Sequence, residues 1–167
     1  MKRREPEENR LDLDYEEKKK DIIKYLESEG NDTMVLATSS DDIVLARTVL
    51  IFSKGLELYF FTWGNSRKCD QIRRNPNIAL CKDNMMIEGV AEIVGGLSEE
   101  RNREYKDFMR NKNPESIERW EKRPNMIIVR VKPLQIVYGS RIIDGCVYLE
   151  FMDLQTKRAY AEKWAHY

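Results

Sequence analysis

The strongest constraint on this chain is a change of period. From residue 33 onward, short runs rich in β-branched and aromatic residues are cut by two-residue polar turns, Asp41-Asp42, Lys54-Gly55, Asp83-Asn84 and Asp144-Gly145. The runs cover 33–38, 43–52, 56–62, 77–82, 85–94, 126–132, 134–140 and 145–152. Turns this short join antiparallel neighbours. The pattern therefore predicts a β-rich α+β domain of six to eight antiparallel strands, closed into a barrel that removes exposed sheet edges.

Helical spacing interrupts the strands. Over 15–29, Ile22, Ile23 and Leu26 share a face and Gly30 supplies a stop, which predicts an amphipathic helix lying on the domain. Residues 66–74 form a second helix, ended by Asn75-Pro76, and 98–122 a third stretch, broken near Asn113-Pro114. A run from 154 to the C-terminus reads as a last helix. Residues 1–30 carry 18 charges, so 1–10 is expected to be a disordered tail ahead of a single domain over 11–167.

Composition removes several classes of function. The 29 basic and 29 acidic residues cancel, which speaks against a nucleic-acid partner. No apolar run approaches the roughly 18 to 20 residues of a membrane span, and the charged N-terminus does not resemble a signal peptide, so the expectation is a cytoplasmic protein with no membrane partner. That address also discounts the sequon Asn31-Asp32-Thr33. Cys69, Cys81 and Cys146 are unpaired in spacing and read as buried, reduced thiols. With His166 as the single histidine, multi-histidine metal sites are out, and a catalytic triad would need a terminal histidine.

The neutral total hides a local excess. Between Ile43 and Lys82 seven basic residues face two acidic ones, a net charge of +5. Within that segment Asn65-Ser66-Arg67-Lys68 opens a helix, where free backbone N–H groups and the positive dipole end meet two cationic side chains. Such a corner suits a phosphate, although a capped surface helix would carry the same residues. Arg47 lies inside the apolar run Ile43 to Phe52, and a cation there needs a partner. Strand alternation puts Arg47 on one face with Val49 and Ile51, and the residues leave open whether it meets a phosphate, pairs with a carboxylate such as Glu57 or Glu88, or points to solvent. Glycine-rich nucleotide signatures are missing, which excludes Rossmann and P-loop sites. Glu88 and Glu92 read as solvated or ion-paired, and Trp63 as a packing aromatic of a loop or interface.

Taken in order, Met34-Val35-Leu36-Ala37-Thr38, Ala46-Arg47-Thr48-Val49-Leu50, Leu58-Tyr59-Phe60-Phe61-Thr62, Asn65-Ser66-Arg67-Lys68, Gln71-Ile72-Arg73-Arg74-Asn75-Pro76 and Ile87-Glu88-Gly89-Val90-Ala91-Glu92 resemble the pyridoxamine 5′-phosphate oxidase-like family of FMN-binding split barrels. The resemblance covers about 33–95. It implies FMN at a homodimer interface, with Arg47, Ser66, Arg67 and Lys68 at the phosphate. Thr48, Val49 and Leu50 would line the ring, Phe61 and Thr62 would end a strand against the cofactor, and Asn84 would stand where the family often has a glutamine from the other subunit.

Two departures bear on activity. Phe52 stands where the authentic oxidases carry a lysine, and their C-terminal R-x-H element is absent. The resemblance therefore implies an FMN-dependent oxidoreductase acting on a small molecule other than pyridoxine phosphate, with no side-chain catalyst assigned. Its alternative is a non-catalytic protein that binds flavin, deazaflavin or haem in sensing, storage or stress response.

Overall fold

The computed structural model describes residues 10–28, 30 and 32–166, with 165 and 166 described through their backbone alone. The expected disordered tail lies outside these residues except for Arg10, which opens strand β1, Arg10–Leu13. Asn31 of the sequon also lies outside them.

Helix α1, Tyr15–Glu27, starts where the Asp14 carboxylate accepts from the Glu17 N–H at 2.7 Å. Strands β2, Thr33–Ser40, and β3, Ile43–Leu50, form a hairpin, and β4, Phe52–Lys54, pairs with β5, Glu57–Trp63. Helix α2, Arg67–Arg74, leads into β6, Asn77–Lys82, and β7, Met85–Gly96. After a 3-10 turn, α3, Arg103–Lys112, and α4, Pro114–Trp120, precede β8, Met126–Ile143, β9, Cys146–Asp153, and β10, Arg158–His166.

All pairings are antiparallel, in the order β1-β10-β9-β8-β7-β6-β2-β3, with β5 on the first half of β8 and β4 on β5. The barrel expectation holds, in a form left open between β3 and β5. The described residues form ten strands where six to eight were expected. The runs 126–132 and 134–140 are one strand, because Pro133 sits at a register shift opposite Gly89, where a side chain would strike the Lys132 carbonyl at 2.8 Å.

The predicted C-terminal helix is a strand. A turn ends with Lys157 at φ 54°, and β10 then alternates buried Ala159 and Ala161 with Tyr160 and Glu162 on the other face. Alanine favours helices in isolation. Here α1 lies against β9 and β10, and small side chains let the layers approach.

Two apolar clusters flank β5. Leu58 and Phe60 point into the barrel with Met34, Leu36, Ile72, Leu80 and Val131, whereas Tyr59 joins Phe52, Met109, Ile117 and Ile128 beneath α3 and α4. Cys69 and Cys146 are buried as expected, but Cys81 is exposed. No helix of the described residues is long and apolar enough to cross a membrane.

Candidate functional site

The inward rows of three strands turn polar at the same end of the barrel. On β2 the buried series Met34, Leu36 ends at Thr38. On β3, Val49 lies opposite Met34 and Arg47 opposite Leu36, which puts the guanidinium on the core side of its strand. On β5, Leu58 and Phe60 are followed by Thr62. Apolar side chains seal the barrel up to this level, and α2 closes over the polar end.

Arg47 pairs with neither Glu57 nor Glu88. Its Nη1 donates to the Thr38 hydroxyl at 2.5 Å and the Leu36 carbonyl at 3.4 Å, and Nη2 donates to Gln71 Oε1 at 3.4 Å. Lys68 Nζ donates to the Thr62 hydroxyl at 2.9 Å. Every one of these acceptors is neutral. Burial, then the like charge of Arg67, pulls the Arg47 guanidinium below its ordinary value. Burial also lowers the Lys68 ammonium; Cys69 opposes the shift and Arg47 adds to it. Arg67 is exposed and has no carboxylate partner among the described residues. Asp70 and Asp41 are engaged by Arg73 and Arg74 respectively. The result is three neighbouring cations, two of them half-buried, with no anion among them. Taking a dianion would relieve both desolvation and mutual repulsion.

Ser66 precedes α2 without capping it; its hydroxyl donates to Cys69 Sγ at 3.3 Å. The hydroxyl therefore leaves the first N–H groups of the helix uncapped. A cleft of about 230 Å³ beside α2 is lined by Ser40, Ile43, Arg67, Gln71 and Arg74 and by the ion-paired carboxylates Asp41 and Asp70.

The other sequence-derived positions spread away from this corner. Thr48 is exposed on the outward face, Val49 packs on the barrel core, and Leu50 and Phe61 belong to the second cluster, where Phe61 lies 5.9 Å from Phe52 between ring centroids. Leu50 and Phe52 also line a cavity of about 270 Å³, together with Asp32, Lys112 and Asn113. Leu50 is three residues beyond Arg47, or roughly 10 Å along the strand. Asn84 lies in the β6–β7 turn, four residues past Leu80, which pairs with Leu36. Within one chain the structure does not bring it to Arg47.

Glu92 is ion-paired with Arg130 at 2.6 Å, and Trp63 packs edge-on against Trp120 at 5.9 Å. Both are structural roles, as read from the sequence. Thr38 and Gln71 escaped the sequence reading. The signal for Gln71 was a polar side chain on the buried face of α2, between Cys69 and Ile72.

Comparison with solved structures identifies the architecture. A protein related to general stress protein 26, of the pyridoxinephosphate oxidase family, from Clostridium acetobutylicum matches 87% of this chain and 99% of its own, with 15% identity and a TM-score of 0.60. A pyridoxamine 5′-phosphate oxidase-related, FMN-binding protein from Nostoc punctiforme matches 90% of this chain and 93% of its own, at 14% identity and a TM-score of 0.53. The fold is that of the pyridoxamine 5′-phosphate oxidase-like split barrels. The heme storage protein HutZ from Vibrio cholerae shares this split barrel over 72% of the present chain and 91% of its own, with 14% identity and a TM-score of 0.56. No protein-family model and no curated protein matches the sequence.

Proposed function

We propose that this chain binds FMN, with the phosphate held by Arg47, Arg67, Lys68 and the uncapped start of α2, and that it works as an FMN-dependent oxidoreductase on a small molecule. The observation that carries the reading is the set of cations whose acceptors are all neutral. A structural arginine in a strand would be matched by a carboxylate, and this one is not. A bound flavin supplies hydride and electron transfer, so the chain's residues need only bind, orient and exclude water. Leu50 and Phe52 give the far side of the site an apolar wall, and the adjoining cavity is of a size for part of a small organic molecule.

Pyridoxine phosphate is not the expected substrate. Phe52 is 3% exposed inside the second cluster, so the position offers a substrate no cation.

The same reading includes a second copy of the chain. Thr48, Val35, Cys81 and Met86 are register neighbours across β3, β2, β6 and β7, followed by the row Ala46, Ala37 and Ala79. Val35, Val44 and Met86 are exposed on this largely apolar face, which Glu88, opposite Ala79, borders on β7. Of the aromatic residues of β5, by contrast, Tyr59 and Phe60 are buried within the chain and Trp63 is exposed. Asn84, at the end of β6, would enter a flavin site only from such a partner. The proposed working form is a cytoplasmic homodimer.

The test is the visible spectrum of the purified protein, followed by titration with FMN and light scattering. Flavin absorbance, FMN binding tighter than riboflavin binding, and a dimer are expected, with reduction by NADH or NADPH. A haem spectrum, or equal affinity for the two flavins, overturns the phosphate reading.

A further inference from the structure

We propose that Gln71 is a positioning residue that aims Arg47 at the bound phosphate while leaving its charge uncompensated, an inference that rests on the FMN reading above. Gln71 is 5% exposed and Thr38 is 2% exposed, and a buried polar side chain must find partners. Gln71 Nε2 donates to the Ile43 carbonyl at 2.9 Å, and Oε1 accepts from the Thr38 hydroxyl at 2.6 Å and from Arg47. The amide has one workable orientation. Reversed, its NH₂ would face the donors of Thr38 and Arg47, and its oxygen would face the Ile43 carbonyl.

The Thr38 hydroxyl links the two. It accepts from Arg47 Nη1 and hands its single proton to Gln71, so α2, β2 and β3 together fix one edge of the guanidinium. A carboxylate at 71 would serve equally well as an acceptor, and a charged hydrogen bond would hold Arg47 more tightly. It would also neutralise the cation and repel an incoming phosphate. The neutral amide gives orientation without competing with the ligand for the charge.

Gln71→Glu and Gln71→Met separate orientation from charge. Both lose the amide; only the first adds an anion. Relative to the unsubstituted protein, Gln71→Glu is expected to weaken FMN by about tenfold or more and Gln71→Met by only a few-fold, with riboflavin affinity within about twofold in each. Thr38→Val, which keeps shape and drops the hydroxyl, is expected to fall near Gln71→Met and serves if Gln71→Glu does not fold. Unchanged FMN affinity in Gln71→Glu, or in Thr38→Val when it stands alone, overturns the inference. So does a loss in Gln71→Met as large as in Gln71→Glu, or an equal loss of riboflavin. If the unsubstituted protein prefers riboflavin or binds neither flavin, the FMN reading itself falls and this inference falls with it.

Discussion

Lys18 and Arg47 are both drawn toward the interior, and they are treated in opposite ways. Lys18 of α1 is 7% exposed, with Nζ 2.5 Å from Glu150 Oε2 and a further hydrogen bond to the Tyr138 carbonyl. Arg141 approaches the other oxygen of Glu150 at 2.5 Å. Gly139, at φ +97°, makes the local bend of β8, where a side chain would meet Glu150 and Lys18 at 3.1 and 3.2 Å. This charge is compensated on the spot, and its effect is to fasten α1 to β8 and β9. Arg47 has only neutral acceptors. The difference teaches that a buried charge is better read from the charge of its partners than from its burial: one is compensated within the scaffold, and the other is, on the proposed reading, left for the phosphate of FMN.

The largest effect should come from breaking the compensated pair. Glu150→Ala leaves Lys18 buried without its carboxylate and is expected to cost about 3 to 5 kcal/mol in denaturant unfolding. FMN affinity of the folded protein should not change. Burial pushes the Glu150 carboxyl up, but hydrogen bonds from Lys18 and then Arg141 outweigh it and hold the group below the ordinary carboxylate value. A depressed value means stability that is present above the ordinary carboxylate range of about 4.3 and is lost as pH falls through the folded value. Acid unfolding should therefore be shallower in Glu150→Gln. Equal acid slopes in the two proteins would remove the distinction between the cations.

Arg47→Ala should show the reverse profile. Losing a charge-assisted contact to phosphate is worth about 1.5 to 3 kcal/mol, or roughly ten- to a hundredfold in FMN affinity, with riboflavin nearly unaffected. Stability without ligand should move by less than about 1 kcal/mol, because the lost bonds are to neutral groups and repulsion from Arg67 is relieved. A large loss of stability, with both flavins weakened alike, would make Arg47 a second Lys18.

This contrast was partly legible in the sequence. Arg47 stood out as a cation in an apolar run and Arg67-Lys68 as a pair at a helix start, both local patterns. Lys18 did not, since a lysine among the charges of α1 looks solvated until β8 and β9 arrive beside it. Thr38 and Gln71 were hidden for the same reason: their roles depend on register, which sets Leu36 against Arg47 and brings α2 over the barrel end. Strand turns were readable because two polar residues suffice to make them. Strand β10 was not, because its alanines answer to the closeness of α1 and not to their own propensity.

The smallest effect sharpens the scaffold side of the comparison, because α1 has a second fastening that carries no net charge exchange. The Tyr25 hydroxyl donates to Asp83 at 2.8 Å, tying α1 to the β6–β7 turn, and the Tyr25 ring lies 4.7 Å from Tyr138. Burial, then the hydrogen bond to Asp83 and its charge, pushes the phenol up to about 12. In the unfolded chain the phenol ionises near 10 while the folded protein keeps its proton, so this contribution is intact below about pH 10 and declines as pH rises toward the folded value. Tyr25→Phe lacks the group, so it should be less stable than the parent by about 1 kcal/mol or less at pH 9. The gap should narrow as the pH is raised above 10. Urea midpoints at both ends of that range measure it, and the absence of a gap at pH 9 would show that Tyr25 holds α1 by ring packing alone.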